Sequence, residues 1–287
     1  MSRDEPRRTR GRSLATSWLA AGALASMLAM PKIALGQLRP YEPAEWTVFD
    51  GDATFVGELG ATLLVDQHAS LAGEVGTLRE VGVFSAFYRT GRVAIGAEGT
   101  LHRHFERDRT VGILQGGAEA DEDGTRQDSG DYRVSTVVRL TPEHSPALAV
   151  IRFGTRLPTT ANEAGLERDR MDFFAIAGGR YDRGPLRAAA ELGVGIHGTR
   201  AVEYEQSDVF IYLVSVGLPR SLLAPSLILT GHADGMPDLA IPGNEELAEI
   251  RLRLRSGGDV WVQAEAIAGL LEFSPDRGIS LMLGATL

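Results

Sequence analysis

Hydrophobic and polar residues alternate with a period of two along much of the chain. Near the C-terminus, Ile279, Leu281 and Leu283 share one face of an extended segment, and Ser280 and Gly284 lie on the other. Alternation of this kind is typical of a β-strand whose two faces meet different surroundings. The pattern recurs from about residue 53 to the end of the chain, and it predicts an all-β protein.

The alternating segments can be counted. Most of them have roughly the 9–11 residues that a tilted strand needs to cross a bilayer. The pattern predicts twelve strands, near residues 53–65, 77–89, 92–105, 131–141, 147–157, 171–181, 186–197, 207–218, 225–232, 246–255, 259–270 and 278–287.

The connections between these segments alternate in length. Even-numbered connections are short, near 90–91, 142–146, 182–185, 219–224 and 256–258, whereas most odd-numbered ones are long, near 106–130, 158–170, 198–206 and 233–245. Short turns at one end and long loops at the other are typical of outer-membrane barrels. Hydrocarbon also requires a sheet without free edges. The predicted fold class is therefore a transmembrane antiparallel up-and-down β-barrel of about 12 strands.

A soluble β-sandwich, a calycin-like barrel or a periplasmic domain remains as the alternative fold. Many positions on the predicted outer face are Ala or Gly, so the amphipathic character of the strands is mild. Loop alternation argues against the sandwich, because nothing in a sandwich requires the connections to alternate in length.

Residues 1–36 have the features of a cleaved signal peptide. Several arginines precede an apolar stretch from residue 14 to 30, and Ala34 and Gly36 are the small residues that signal peptidase reads. An uncleaved anchor is less favoured, because the stretch ends at Pro31 and is short of a full membrane span. We therefore expect residues 37–287 to form the barrel, exported through the periplasm to the bacterial outer membrane.

Composition narrows the function. The chain has no cysteine, which excludes disulfides and thiolate catalysis. Its net charge is −9 and no basic patch follows the N-terminus, so nucleic acid is not an expected partner. No phosphate loop or dinucleotide fingerprint is present, and no cofactor is expected. The expected partners are outer-membrane lipid, a small solute, and the barrel-assembly machinery through strand 278–287. A monomer is expected.

Charged side chains are numerous on the predicted inward faces. Either they form a charged lumen that selects solutes, or they form ion pairs that plug a narrow barrel. The run Arg251, Arg253 and Arg255 needs carboxylates nearby, and Glu265 and Glu191 are the best candidates in the sequence. The predicted lumen-lining set is Glu98, His102, His104, Arg139, Arg152, Arg156, Arg180, Arg187, Glu191, Glu249, Arg251, Arg253, Arg255 and Glu265.

Two kinds of chemistry compete with a passive lumen. His102 and His104, with Glu98 and Glu106 in the same phase, could share a metal ion. A polar lumen wall explains the same residues, and no metal is expected. Barrel hydrolases place Ser and His on the lipid face, whereas these histidines are assigned to the inner face. No Gly-x-Ser-x-Gly motif occurs in residues 37–287. An enzyme is therefore less favoured than a channel.

Part of the chain resembles a known family. Segment 149–159, with Leu157-Pro158-Thr159 at its end, is followed by 162–166, by a strand opening on Asp172, and by 192–196. This arrangement resembles the outer-membrane barrels of the meta-pathway phenol-degradation type, over about 50 of the 287 residues. The resemblance implies a transporter-like barrel and carries over no catalytic residue. The chain departs from such barrels at its last residue, Leu287, where they usually have an aromatic residue.

The predicted function is a passive channel or transporter-like protein for small solutes, apolar ones included. The alternatives are a barrel-borne lipid hydrolase or deacylase, and a structural barrel with a plugged lumen.

Overall fold

The computed structural model describes residues 38–42, 46–111, 123–143, 145–161, 164–199, 206–219, 221–234 and 245–287. The predicted signal peptide 1–36 lies outside these residues, so its cleavage stays a prediction. All described residues belong to one unit of the chain, Ala34–Leu287.

Strands account for most of the described chain, and most of them lie close to the predicted segments. Their bounds are β1 Phe55–Ala69, β2 Glu74–Thr90, β3 Val93–Thr110, β4 Thr125–Asp128, β5 Tyr132–Arg139, β6 Ala147–Leu157, β7 Asp172–Arg183, β8 Leu186–Gly198, β9 Gln206–Gly217, β10 Ser226–Asp234, β11 Leu247–Arg255, β12 Val260–Gly269 and β13 Arg277–Thr286.

The sheet closes on itself. Each strand pairs antiparallel with its neighbour, β1 pairs with β13, and β2 pairs with both β1 and β3. The short β4 pairs with the second half of β3, at residues 103–106, whereas β5 pairs with the first half, at residues 93–98. Strand β4 therefore lies in line with β5 and adds no strand to the ring. The described strands therefore form a closed antiparallel barrel of twelve strands, which confirms the predicted fold.

Apolar side chains lie on the outside of this barrel. Ile279, Leu281 and Leu283 of β13 are 61%, 59% and 57% exposed, whereas Ser280 and Met282 between them are buried. This is the reverse of a soluble protein, in which large apolar side chains are mostly buried. It is the surface that hydrocarbon around a closed sheet requires. In the described part of the chain, no helix has the length and hydropathy to cross a membrane.

The two ends of the barrel differ. The strands are joined at one end by connections of which three are short, at 91–92, 184–185 and 256–259. We call this the turn end. Most of the connections at the opposite end, the loop end, are longer, as between β6 and β7 and between β10 and β11. The chain enters β1 and leaves β13 at the turn end, where Thr54 N–H donates to the Leu287 carbonyl over 2.7 Å.

The backbone of β2 bulges at Gly82. Gly82 has a φ of +70°, in the left-handed region that glycine adopts without a steric penalty. The pairing of β1 with β2 passes over it, because Gly60 pairs with Val83 and the next residue, Ala61, pairs with Val81. One extra residue in a strand reverses the face that every later side chain occupies.

The change of face continues into β3, which keeps one register with β2 on both sides of the bulge. In β3, Glu98 is buried on one side of the position opposite Gly82, and Arg103 is buried on the other side. These two residues are an odd number of positions apart, so an unbroken alternation would place them on opposite faces. His102 is consequently exposed and His104 only half-buried. The predicted inward placement of these two histidines is therefore wrong, because it assumed that the alternation runs unbroken through the strand.

Replacing Gly82 by Ala is expected to lower the free energy of unfolding by about 1–2 kcal/mol. The new Cβ would take an unfavourable φ and would lie 2.8 Å from a side-chain carbon of Leu101. Urea unfolding in phospholipid vesicles, followed by tryptophan fluorescence, measures the change. Gly91→Ala is the matched control, because it has the unfavourable φ without the close contact. Gly91 has a φ of +58°, and nothing lies within 4 Å of the added Cβ. An unchanged stability in Gly82→Ala would contradict the bulge.

Candidate functional site: the obstructed lumen

A segment before β1 lies inside the barrel. We call the described residues 38–42 and 46–50 the N-terminal strap. A segment that contacts opposite walls of a ring lies within the ring. Three of its polar contacts reach different sides of the wall: Arg39 to Glu80 of β2 (3.1 Å), Thr230 Oγ1 of β10 to the Tyr41 carbonyl (3.2 Å), and Arg180 of β7 to the Trp46 carbonyl (3.4 Å).

The strap runs from the loop end to the turn end. Leu38 is buried in a cluster with Phe105, near the loop end of β3, and with Leu166 from the β6–β7 connection. Trp46 is buried with Phe87, near the turn end of β2. Burial of apolar surface stabilises by roughly 25 cal/mol per Å², so these two clusters hold both ends of the strap in the lumen.

Tyr41 holds the middle of the strap. Its hydroxyl lies 3.0 Å from Nε2 of His197 on β8. The His197 ring stands 5.9 Å from the ring of His232 on β10, and both histidines are fully buried. On another side of Tyr41, the guanidinium of Arg133 lies 4.9 Å from the ring centroid, a cation–π contact. Tyr41 therefore joins strands on two sides of the lumen.

Ion pairs link the strap to the wall. Glu42 lies 2.6 Å from Arg251, which also pairs with Glu249 at 2.8 Å and approaches Glu265 to 3.8 Å. Glu265 in addition pairs with Arg253. The expected role of Glu265 as the partner of these arginines is confirmed. Glu42 was not anticipated, because its position before the first strand carried no sign that it enters the lumen.

Arg255, the third arginine of the run, makes a different contact. Its guanidinium lies 3.7 Å from the ring centroid of Trp261 on the neighbouring strand β12. Trp261 is buried and its ring covers Gly284, where an added Cβ would collide with it. The contact of Arg255 with an aromatic ring was not anticipated from the sequence.

Residues of the β6–β7 connection close the loop end. Glu167 and Arg168 of this connection are buried, and Arg156 of β6 pairs with Glu167 at 2.9 Å and with Asp172 at 2.7 Å. Burial raises the pKa of Asp131, but Arg156 and hydrogen bonds from residues 159 and 160 outweigh it and hold that pKa below its usual range. Loop residues that would ordinarily face solvent therefore form a charged cap.

The predicted lining residues fall into three groups. His102 and His104 lie off the inner face, as described above. Arg187 and Arg255 are half-buried near the turn end. The others are buried: Glu98, Arg139, Arg152, Arg156, Arg180, Glu191, Glu249, Arg251, Arg253 and Glu265. Contact of any of them with a solute stays a prediction.

The strap leaves space on its sides. A cavity of about 110 Å³ lies between it and the wall, lined by Trp46, Phe87 and Arg133 among others. A second cavity of about 320 Å³ lies at the turn end, beside Asp50 and Arg187. The lumen is therefore obstructed without being completely filled.

One row of side chains bears on the enzyme alternative. Asp172, His197 and Ser207 are neighbours in register on β7, β8 and β9. In a hydrolase triad, the histidine bonds the acid through Nδ1 and the serine through Nε2. Here Nε2 contacts Tyr41, and Nδ1 has no hydrogen-bond partner among the described residues. This geometry does not favour hydrolysis.

A metal site was the other chemistry considered from the sequence. The described part of the chain contains no group of three His, Asp or Glu residues placed to hold a metal ion.

Comparison with known proteins gives solved structures only. No protein-family model matches the sequence, and no curated protein matches it. The solved structures include a loop-deletion mutant of OmpT, an outer-membrane protein of Vibrio cholerae, with 8% identity and a TM-score of 0.40 over 81% of this chain and 98% of that one.

The outer-membrane channel DcaP of Acinetobacter baumannii is similar at 9% identity, with a TM-score of 0.39 over 82% of this chain and 96% of that one. Scores of this size carry no argument about function, and the barrel fold rests on the strand pairing itself. The resemblance to the phenol-degradation family stays a prediction.

Proposed function

We propose that this chain is a bacterial outer-membrane barrel that passes small solutes through a lumen obstructed at rest by its own N-terminal strap. The proposal includes export by the N-terminal signal, insertion as a monomer, and outer-membrane lipid as the surrounding partner. The apolar outer surface and the closed sheet support insertion, because a sheet with no free edge satisfies its backbone groups in hydrocarbon.

The observation that carries the proposal is the pairing of wall charges with the strap. Glu80 pairs with Arg39, Arg251 pairs with Glu42, and Asp50 pairs with arginines of β7 and β8. Beneath the strap, the inner wall is therefore charged on several sides. A charged inner wall is typical of a barrel that conducts water and solutes.

A permanently closed structural barrel is the second candidate. The charged cap favours it, because its ion pairs join the barrel wall to the β6–β7 connection at the loop end without involving the strap. These pairs connect Arg156 with Glu167 and with Asp172. The two candidates differ in whether the strap moves, since a structural plug has no need to leave the lumen.

A reversible covalent lock tests the proposal. Tyr41→Cys with Thr230→Cys places one thiol on the strap and one on β10, at two residues in contact through the Thr230 hydroxyl, which donates to the Tyr41 main-chain carbonyl over 3.2 Å. The chain has no other cysteine. We expect solute flux into vesicles by the reduced protein, no flux after oxidation, and recovery with dithiothreitol. Each single-cysteine variant should ignore the oxidant. Absence of flux in the wild-type and reduced proteins would support the structural barrel instead.

A further inference from the structure

The cavity beside the strap has two different ends. Toward the turn end its wall combines the apolar side chains of Val56, Phe87 and Val137 with the polar side chains of Glu58, Arg253 and Gln263. Toward the loop end its wall is charged and includes Arg103 and Arg133. Sites for small molecules combine an apolar surface with a few polar groups that orient the ligand. An apolar surface with arginines at one end suits a molecule with one charged group and an apolar body.

Arg133 differs from the other arginines of this cavity. Arg103 pairs with Glu80 at 2.8 Å, and Arg253 pairs with Glu265. Arg133 forms no ion pair with any carboxylate in the described part of the chain. Its Nε is buried without a hydrogen bond to another described group, and its charge rests over the ring of Tyr41.

Most carboxylates of the cavity wall already form ion pairs with arginines. Glu98 lies opposite Arg133 in the pairing of β3 with β5, yet it pairs with Arg152. Glu80 and Glu265 are held by arginines, as described above. An entering ammonium group would have to compete for these carboxylates. An entering carboxylate meets a guanidinium that forms no ion pair with a described carboxylate and interacts with Glu42 only at longer range. Guanidinium groups bind carboxylates through charge-assisted, often bidentate hydrogen bonds.

We propose that this cavity binds a small amphipathic monocarboxylate, with its carboxylate on Arg133 and its apolar body against Val137 and Phe87. This deepens the proposed function, on which it rests, by naming the class of solute. A cavity of about 150 Å³ holds benzene. The present volume of about 110 Å³ therefore limits the apolar body to a short chain. A solute bound here contacts the strap as well as the wall, because Arg133 lies over Tyr41.

The test compares hexanoate, hexan-1-ol and hexylamine, which share one chain length and differ in charge. Binding to the purified full-length mature protein is measured by titration calorimetry. Quenching of Trp46 by 6-bromohexanoate, in a Trp261→Phe background, reports occupancy at the cavity wall. We expect hexanoate to bind most tightly. Arg133→Gln should weaken hexanoate binding about ten-fold or more, since a hydrogen bond to a charged group is lost.

Two matched variants complete the experiment. Arg133→Lys should retain more of the hexanoate affinity than Arg133→Gln, and Arg79→Gln, at an exposed ion pair on β2, should leave it unchanged. Equal affinity for the three ligands, stronger binding of hexylamine, or hexanoate binding that ignores Arg133→Gln would each overturn the inference. If Arg133→Gln does not fold, the three-ligand comparison in the wild-type protein still decides. Conductance without hexanoate binding would refute only this inference, and binding without conductance would refute only the channel.

Discussion

Deletion of residues 38–50 is expected to raise the ionic current through the barrel by on the order of ten-fold or more, because it removes the segment that obstructs the lumen of a twelve-stranded barrel. The wall groups that the strap now engages, among them Arg251, Glu80 and Arg180, would then face water. Single-channel recording in planar bilayers measures the change against the wild-type protein.

Whether the deletion variant folds must be checked first, by comparing the electrophoretic mobility of unheated and heated samples. If the variant does not fold, Trp46→Ala with Tyr41→Ala loosens the strap and leaves β1 intact. Ser221→Ala, in the connection between β9 and β10 at the turn end, serves as the neutral control. Among the described residues, the Ser221 hydroxyl bonds only within its own turn, to the Leu218 carbonyl at 2.9 Å. Current that stays at the wild-type level in a folded deletion variant would show that the cap, and not the strap, closes the barrel.

Replacement of Arg251 by Met is expected to lower the free energy of unfolding by about 3–5 kcal/mol, the usual effect of removing one partner from a buried ion network. Arg251 is fully buried and holds Glu42 and Glu249, with Glu265 at 3.8 Å. Without it, three carboxylates would share the interior with less compensation. Denaturant unfolding in lipid vesicles at pH 7 gives the difference.

Two controls separate the charge from the shape of the side chain. Arg79→Met removes an exposed ion pair with Glu106 and should change stability by less than about 1 kcal/mol. Arg251→Met combined with Glu249→Gln should recover part of the loss, because one uncompensated charge is then removed. A loss in Arg251→Met no larger than in Arg79→Met would contradict a central role for this network.

The strands could be predicted closely because alternation is a local property. The outer residues of β13 and β12 face one kind of surroundings along nearly their whole length, so their burial alternates with a period of two. The prediction failed at His102 because a bulge adds one residue to the count, and Gly82 alone does not reveal a bulge in a chain with 34 glycines. A single unpredicted φ then reversed the faces of both β2 and β3.

The strap could not be predicted from its sequence with the rules that found the strands. It has neither a period of two nor a helical period, and its structure depends on contacts with distant strands. Its only visible signal is the presence of Tyr41, Trp46 and Phe49 within one short stretch before β1. Large aromatic side chains in a segment without periodicity indicate burial against something else, but they do not say against what.

By itself, the sequence determined the wall of this protein: the number of barrel strands, their approximate bounds, and most residues that face inward. These follow from side-chain alternation, which each strand carries in its own residues. Only the tertiary structure decided what the lumen contains. Glu42 meets Arg251 across 209 positions of the chain, and Tyr41 meets His197 across 156. Such pairs form because ring closure brings remote segments into one interior, and no local pattern encodes that proximity.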